Sequence, residues 1–439
     1  MFKFDFDLKE LEAEVDDPAS YSTSNISALK ISDENPTRDS DSTDSERECH
    51  EIALKQLLES LPPFLSYSTI EIPGPTEEVE ASIWRRDLYD AKYQTYLDPE
   101  DQTNSDSEEE KEEDQTPERL TQESEKKRKA TAKTDRTKDP TRSNDHLQNL
   151  LTAPSDLLPG VYEGGFKTWE SSLDLIRYFS RTGIHLTTRL KDPKRKETMR
   201  LLEVGCGTAL PTVWLLYKLF YDLIYQDHLK NQNLQASSQS NEPSRVAQPL
   251  EFYLQDFNEE VLYLLTLPNI ILAFHRASQL ALANDNPDSE SNQTEVEPSG
   301  DLELTADLKT RFVNLLERHH LQLRFFHGPW RSFLRTPSSS NQFELIYSSE
   351  TIYSPITLPS LVSLFARATA SPPSKTTLTQ LLVAAKKVYF GVGGSSFEFV
   401  RQIEALGGQV HTVWPTESDD PESLGVGRLI MSVTWPGHS

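Results

Sequence analysis

The stretch LLEVGCGTALP, Leu201 to Pro211, decides the fold. Its short apolar run carries the acidic Glu203 and then breaks into Gly205, Gly207 and the small Ala209. Glycine reaches backbone angles closed to other residues and lets groups approach the main chain closely, so the pattern predicts a strand that turns tightly into a helix. The N–H groups at the start of that helix suit a nucleotide-like ligand. A glycine turn after a strand also occurs as a plain connection, so the neighbouring segments carry the argument.

A dinucleotide fold shows G-x-G-x-x-G after its strand. Here an acidic residue precedes the glycines, as in the E/D-x-G-x-G turn of class I methyltransferases, which favours S-adenosylmethionine over NAD. A second apolar segment, EFYLQDFN, ends in Asp256 just before EEVLYLLTLPN. That spacing predicts a carboxylate at the carboxyl end of a second strand, placed to accept hydrogen bonds from both ribose hydroxyls. Glu203 and Asp256 are together read as the acidic tips of one adenosine site.

Of the 439 residues 36% are hydrophobic, and mean hydropathy is −0.56. One folded domain accompanied by unpacked chain is expected. The net charge is −25, and −19 of it falls in residues 1–150, where 38 acidic side chains meet 19 basic ones. Such an excess disfavours direct nucleic-acid binding and fits either a solvated tail or contact with a basic partner. Two cysteines, Cys49 and Cys206, give no disulfide framework and point to a reducing compartment. No uninterrupted apolar run reaches the ~18 residues of a bilayer span, and MFKFDFDLKE is too charged for a signal peptide, so a soluble intracellular protein without a membrane partner is expected.

Along the chain, 1–51 reads as an acidic disordered tail and 52–97 as helix and strand material that packs on the main domain. Residues 98–145 read as a charged linker containing SDSEEEKEED and KKRK; KKRK is either a nuclear localisation signal or plain solvated charge. Residues 146–439 alternate strand-like and helical runs, which predicts an α/β doubly wound sheet. Seven strands are expected, at MRLLEVG, LEFYLQDF, QLRFFHG, FELIYSS, KKVYFGVG, QVHTVWP and LIMSVTW. Helices are expected at 169–181, 210–224, 257–281, 307–319, 357–370 and 395–406, with surface insertions at 226–248 and 283–303.

Four further motifs carry chemistry. In GVYEGGFKTWESS, Trp169 beside Glu170 at a helix start either covers a sulfonium cation with its indole face or anchors the core. In FFHGPW, Trp330 follows a turn and either flanks an adenine or packs as a surface-to-core aromatic. In FELIYSSETIYSP, Ser348, Ser349, Glu350 and Tyr353 follow the fourth strand, where the methyl group and its acceptor meet in this fold. A carboxylate there suits a neutral imidazole, since one ring nitrogen attacks while Glu350 accepts the N–H of the other; the same residue also fits a helix cap or an Arg partner. The glycines of YFGVGG form either a close lid or a plain turn. The histidines show no metal-ligand spacing, so no metal is assigned.

With these blocks in order the chain resembles the histidine protein methyltransferase family over about residues 160–435, through GVYEGGFKTWE, EVGCGTALP, QDFNEEVLYLLTLPN, FFHGPW, SSETIY and YFGVGG, and more loosely through FKFDFD and LLESLPPF. The resemblance implies a class I, Rossmann-like, seven-strand fold and methyl transfer from S-adenosylmethionine to a histidine of the third protein of the large ribosomal subunit, a basic partner met in cytoplasm and nucleus. It implies cofactor binding by Thr168, Trp169, Glu170, Ser171, Ser172, Gly205, Gln255, Asp256, Phe257, Trp330 and Ser349, to which the glycine-turn reading adds Glu203 and Gly207. Glu350 and Tyr353 are expected at the target ring. Ala209 stands where many relatives have a third glycine, and Thr168 and Phe257 are local variants. Lysine methylation by the same fold and a non-catalytic ribosomal-protein assembly factor are the competing readings.

Overall fold

The computed structural model describes residues 48–73, 79–94, 157–158, 162–184, 186, 198–236, 249–283, 298–336, 342–370, 379–415 and 427–435. FKFDFDL, SDSEEEKEED and KKRK lie outside these residues. The N-terminal elements are β1 (His50–Ile52), α1 (Leu54–Glu59), β2 (Phe64–Pro73), β3 (Val79–Arg86) and α2 (Leu88–Gln94), then a hairpin of β4 (Leu157–Leu158) and β5 (Tyr162–Glu163). There follow α3 (Glu170–Thr182), β6 (Met199–Val204), α4 (Leu210–Ala236), β7 (Leu250–Asp256), α5 (Glu259–Ala283), β8 (Ser299–Glu303) and α6 (Ala306–Arg318). The chain continues with β9 (Leu321–His327), α7 (Trp330–Phe333), β10 (Leu345–Ser349), α8 (Leu358–Ala368), β11 (Gln380–Lys386), α9 (Ser396–Ala405), β12 (Gln409–Trp414) and β13 (Arg428–Thr434).

The main sheet has the order β1-β9-β7-β6-β10-β11-β13-β12. From β9 to β11 every pairing is parallel, while β13 runs antiparallel to β11 and β12 antiparallel to β13. Leaving out the edge strand β1, the seven expected strands stand third, second, first, fourth, fifth, seventh and sixth, with the seventh reversed. This is the class I methyltransferase sheet. β6 lies at the centre, flanked by β7 and β10, so the crevice at the point where the strand order reverses opens above its carboxyl end.

Strand periodicity divides the core. Met199 and Leu201 of β6 face one apolar cluster with Val213 and Leu216 of α4, Ile270 of α5 and Phe312 of α6. Leu202 and Val204 face a second cluster with Leu361 and Phe365 of α8 and Phe399 of α9. Helix α5 is apolar and long enough to cross a membrane by length and composition, but it is buried against α4 and β3. The central strands lack alternation because both of their faces are covered.

Residues 48–73 and 79–94 form part of this fold. β1 pairs antiparallel with β9, so His50 and Glu51 of the segment expected to be a tail belong to the main sheet. β2 pairs with β3 and β8 in a separate three-stranded sheet, where Tyr67 stacks on Trp84 at 4.0 Å. Three expectations need correction. The fifth strand is Gln380–Lys386 and not KKVYFGVG, because Leu381 to Ala385 form the fully buried run, whereas Gly391 and Gly393 adopt φ of +85°. The insertion at 226–248 begins later, since α4 continues to Ala236 through a stretch with neither Gly nor Pro to stop it. The insertion at 283–303 ends in strand β8, whose Leu302 is buried, with Leu304 just past it.

Phe312 is fully buried and meets Phe220 of α4 and Phe274 of α5 at centroid distances of 6.1 and 5.3 Å, so one ring knits three helices. Its truncation leaves a cavity that these helices cannot close. We expect Phe312→Ala to lower the unfolding free energy by about 3–5 kcal/mol in urea denaturation, without altering far-UV circular dichroism at low urea.

Candidate active site

The turn after β6 holds Gly205 at φ +64°, Gly207 at +53° and Ala209 at +53°. Buried side chains fasten it. The Asp256 carboxylate, at the tip of β7, accepts from the Gly207 N–H at 2.8 Å and from the Asn258 N–H at 3.0 Å. From α5, the Thr266 hydroxyl donates to the Gly207 carbonyl at 2.7 Å and the Asn269 amide to the Thr208 carbonyl at 2.9 Å. Thr266 ends a π-helical turn, Leu262–Thr266, a local widening that occurs often beside functional sites. Asn258 donates to the Gly164 carbonyl at 2.7 Å, and a Cβ on Gly207 would stand 3.2 Å from the Gly165 carbonyl, so the EGG segment closes directly over the turn.

Above the turn lies a cleft of about 690 Å³, within the range of small-molecule sites. Trp169, Glu170, Ser172, Gly205, Gly207, Asp256, Phe257, Trp330, Ser349, Glu350 and Tyr353 line it, which brings together residues from five separate sequence blocks. The donor set fits an adenosine with a cationic tail: three aromatic rings, Phe257, Trp330 and Trp169, share the wall with the Asp256 carboxylate. One face of Trp169 already carries the Lys386 ammonium at 4.7 Å from its centroid.

Four of the expected cofactor residues are not in the cleft wall. Glu203 is buried beneath the turn, where it accepts from the backbone N–H and the hydroxyl of Thr212, and Thr212 in turn meets the Tyr347 hydroxyl. Gln255 is fully buried: its carbonyl accepts from the Trp330 indole N–H at 2.9 Å and the Gly205 N–H at 3.3 Å, and its amide donates to the Gly328 carbonyl. It sets the angle of the Trp330 ring from behind. Thr168 contacts the Thr208 hydroxyl at 3.3 Å, and the buried Ser171 donates to Glu350. The cleft also gathers Lys167, Tyr389 and Phe390 from the quoted motifs, together with Lys386 and Arg428, to which the sequence reading gave no role.

At the end of β10, Glu350 sits at φ +59°, a conformation that costs a non-glycine residue free energy and persists where surroundings impose it. Its N–H is tied to the Ala384 carbonyl of β11 at 2.9 Å. Its carboxylate receives the Ser171 and Tyr389 hydroxyls, and Ser349 and Ser172 meet at 3.0 Å beside it. Burial, with the neighbouring Glu350 charge, pushes the Tyr389 phenol well above its ordinary range, so it remains a donor. Arg428, which also lines the cleft, donates to the Asp174 carboxylate at 2.5 Å. The Glu350 carboxylate thus lines the cleft with two hydroxyls to fix it.

Burial pushes the Glu203 carboxyl up to about 8 and the Asp256 carboxyl to about 6, against the N–H and hydroxyl donors that lower them. The second Glu203 oxygen is buried without a partner. A carboxyl whose folded value lies above its unfolded one stabilises fully below about pH 4 and loses that contribution as pH rises through the folded value. Wild-type stability is therefore expected to decline between pH 5 and 8.5, roughly the span set by the Glu203 shift. Glu203→Gln, which cannot ionise, is expected to flatten the upper half of that decline in urea titrations at stepped pH.

No family model matches the chain. Histidine protein methyltransferase 1 of Schizosaccharomyces pombe is 30% identical over 286 residues, 64% of this chain and 65% of that protein. The protein of the same name in Saccharomyces cerevisiae is 28% identical over 338 residues, 74% of this chain and 70% of its own length, and the homolog in Bos taurus is 25% identical over 66% and 60%. Thus the chain spans just under two thirds of the fission-yeast relative. Among solved structures, the glycopeptide N-methyltransferase MtfA complexed with sinefungin aligns over 63% of this chain and 90% of its own at 12% identity and a TM-score of 0.28. The CMeT domain of the citrinin polyketide synthase aligns over 66% and 56% at 13% identity and a TM-score of 0.31. In sequence the chain is thus similar to proteins named for histidine protein methylation in two yeasts and a mammal.

Proposed function

We propose that the chain is an S-adenosylmethionine-dependent protein-histidine N-methyltransferase whose substrate is a histidine of a basic large-subunit ribosomal protein, met in cytoplasm and nucleus. The observation that carries this reading is the Glu350 carboxylate, fixed by the Ser171 and Tyr389 hydroxyls at the head of the cleft; the relatives named for histidine methylation support it. Asp256 would hold the ribose hydroxyls, Phe257 and Trp330 the adenine, and the open face of Trp169 the cationic tail. S-adenosylmethionine supplies the methyl group and a thioether leaving group.

The chain's own part is positioning, which converts an encounter into an in-line approach. Glu350 accepts the N–H of the target imidazole, so that the other nitrogen presents its lone pair, and it takes the proton released when the methylated ring returns to neutrality. Tyr353 lines the wall beside it. We expect Glu350→Gln to lower kcat about 100-fold, the lower end for loss of a positioned base, with little change in cofactor affinity. Unchanged kcat and KM would remove Glu350 from the reaction. Incubating the purified chain with labelled cofactor and the free ribosomal protein, in wild-type form and with its histidines replaced, is the direct test: label lost with a single histidine is expected, while label on lysine would overturn the assignment.

A further inference from the structure

Among the described residues ten large apolar side chains stand exposed; three of them, Val388, Phe390 and Val392, line the cleft, and two more, Ile356 and Phe397, follow within a few residues of cleft-lining Tyr353 and Val392. The other five are spread over β2, α2, α4, α5 and the far end of α9. Val388, Phe390 and Val392 ride on the loop between β11 and α9, and all three also form part of the cleft wall. The loop is closed by a bridge between Val388 and Ser395 and by the Tyr389 N–H donating to the Gly394 carbonyl at 2.9 Å. It lies on the backbone that carries Tyr353, for a Cβ on Gly394 would stand 2.3 Å from the carbonyls of Ile352 and Tyr353, and one on Gly393 3.6 Å from Pro355. Ile356 is the next residue after Pro355, and Phe397 opens α9 two residues past the bridge. Phe390, Ile356 and Phe397 are 84, 82 and 76% exposed, too much for side chains that serve the core.

We propose that this lip is the docking surface for the protein substrate, and that it takes large apolar side chains flanking the acceptor on an extended segment. The inference rests on the methyl-transfer reading of the cleft. A histidine ring hangs from the backbone by one methylene, so a ring delivered to Glu350 brings its main chain across the mouth and its neighbours onto the lip. From Val388 to Phe397 the sequence VYFGVGGSSF holds no charged residue, so these neighbours are chosen by apolar burial and not by charge. Nothing lies within 4 Å of where a Gly391 Cβ would be, which leaves the loop tip clear for an incoming strand.

The test uses fluorescein-labelled peptides with a central histidine and either Phe or Ser at the flanking positions, together with the same peptides carrying Ala at the centre. With the full-length chain, we expect kcat/KM for at least one Phe-flanked peptide to exceed that of its Ser counterpart by about tenfold, in line with what an apolar contact contributes to selectivity. Ile356→Ser/Phe397→Ser is expected to erase most of that preference while cofactor affinity, measured by calorimetry, stays unchanged. The Ala-centred, Phe-flanked peptides report binding without turnover, and their anisotropy signal is expected to weaken in the same variant. Turnover that ignores the flanks overturns the docking surface and leaves the reaction standing. Flank-dependent binding without turnover does the reverse, and absence of both removes both. A wild-type dimer that the double variant renders monomeric would assign the lip to a second copy of the chain and overturn the proposal.

Discussion

The fold converges on one desolvated carboxylate. Asp256 stands at the tip of β7, and its two oxygens hold N–H groups of the turn after β6 and of its own following residues. Those bonds keep Gly207 in its left-handed conformation and lay the turn against the EGG segment. From there the fastening passes outward through Asn269, which grips the Thr208 carbonyl with its amide and accepts the Arg86 N–H with its carbonyl at 2.8 Å. Arg86 is itself buried, donating to Asp90 at 2.6 Å and to the Leu264 carbonyl at 2.8 Å. The small sheet that carries Arg86 is thus the outer brace of the cleft floor, and a single asparagine joins the two.

The same arrangement explains why Glu203 and Asp256, both read as ligand-facing from their place in the sequence, part company in the structure. The turn bends away from Glu203, so its carboxylate points down into the helix that follows and serves Thr212. Asp256, one strand over, stays at the rim. Gln255 makes the same distinction at a finer scale: successive residues of a strand face opposite sides, so only one of two neighbours faces the ligand space while the other works behind it. Gln255 works through Trp330, whose ring it steers.

The elements that the sequence made legible were those with a local signature. The glycine turn, the central strands and the helices α3, α6, α8 and α9 carry their own periodicity and breaks, and each lies within a few residues of its expected place. Side-chain partnerships across the sheet carry no such signature. The pairing of Ser171 and Tyr389 with Glu350 joins positions about 179 residues apart in the first case, and nothing in either segment points to the other. Likewise YFGVGG reads as the end of a strand by its aromatic alternation, but its glycines adopt angles that a ladder does not use, and the strand is the buried run before it. Thr266 and Asn269 sit inside an apolar helical stretch where a polar residue could have been noticed. Their spacing fits a helix face, and only the turn they meet gives them meaning.

The three residues of β1 have a consequence in time. They cover the outer edge of β9, an edge that would otherwise offer its unpaired N–H and carbonyl groups to any passing strand. The Cys49 N–H beside them donates to the Ser332 hydroxyl, a partner 283 residues further along the chain. During synthesis β1 is therefore made before every other strand of its sheet but can pair only once β9 has emerged, after β6 and β7 and ahead of β10 to β13. Contacts of such long separation form slowly because the loop between them must first be closed. Until then the segment that seals the β9 edge waits far upstream, with the greater part of the domain still to be joined to it.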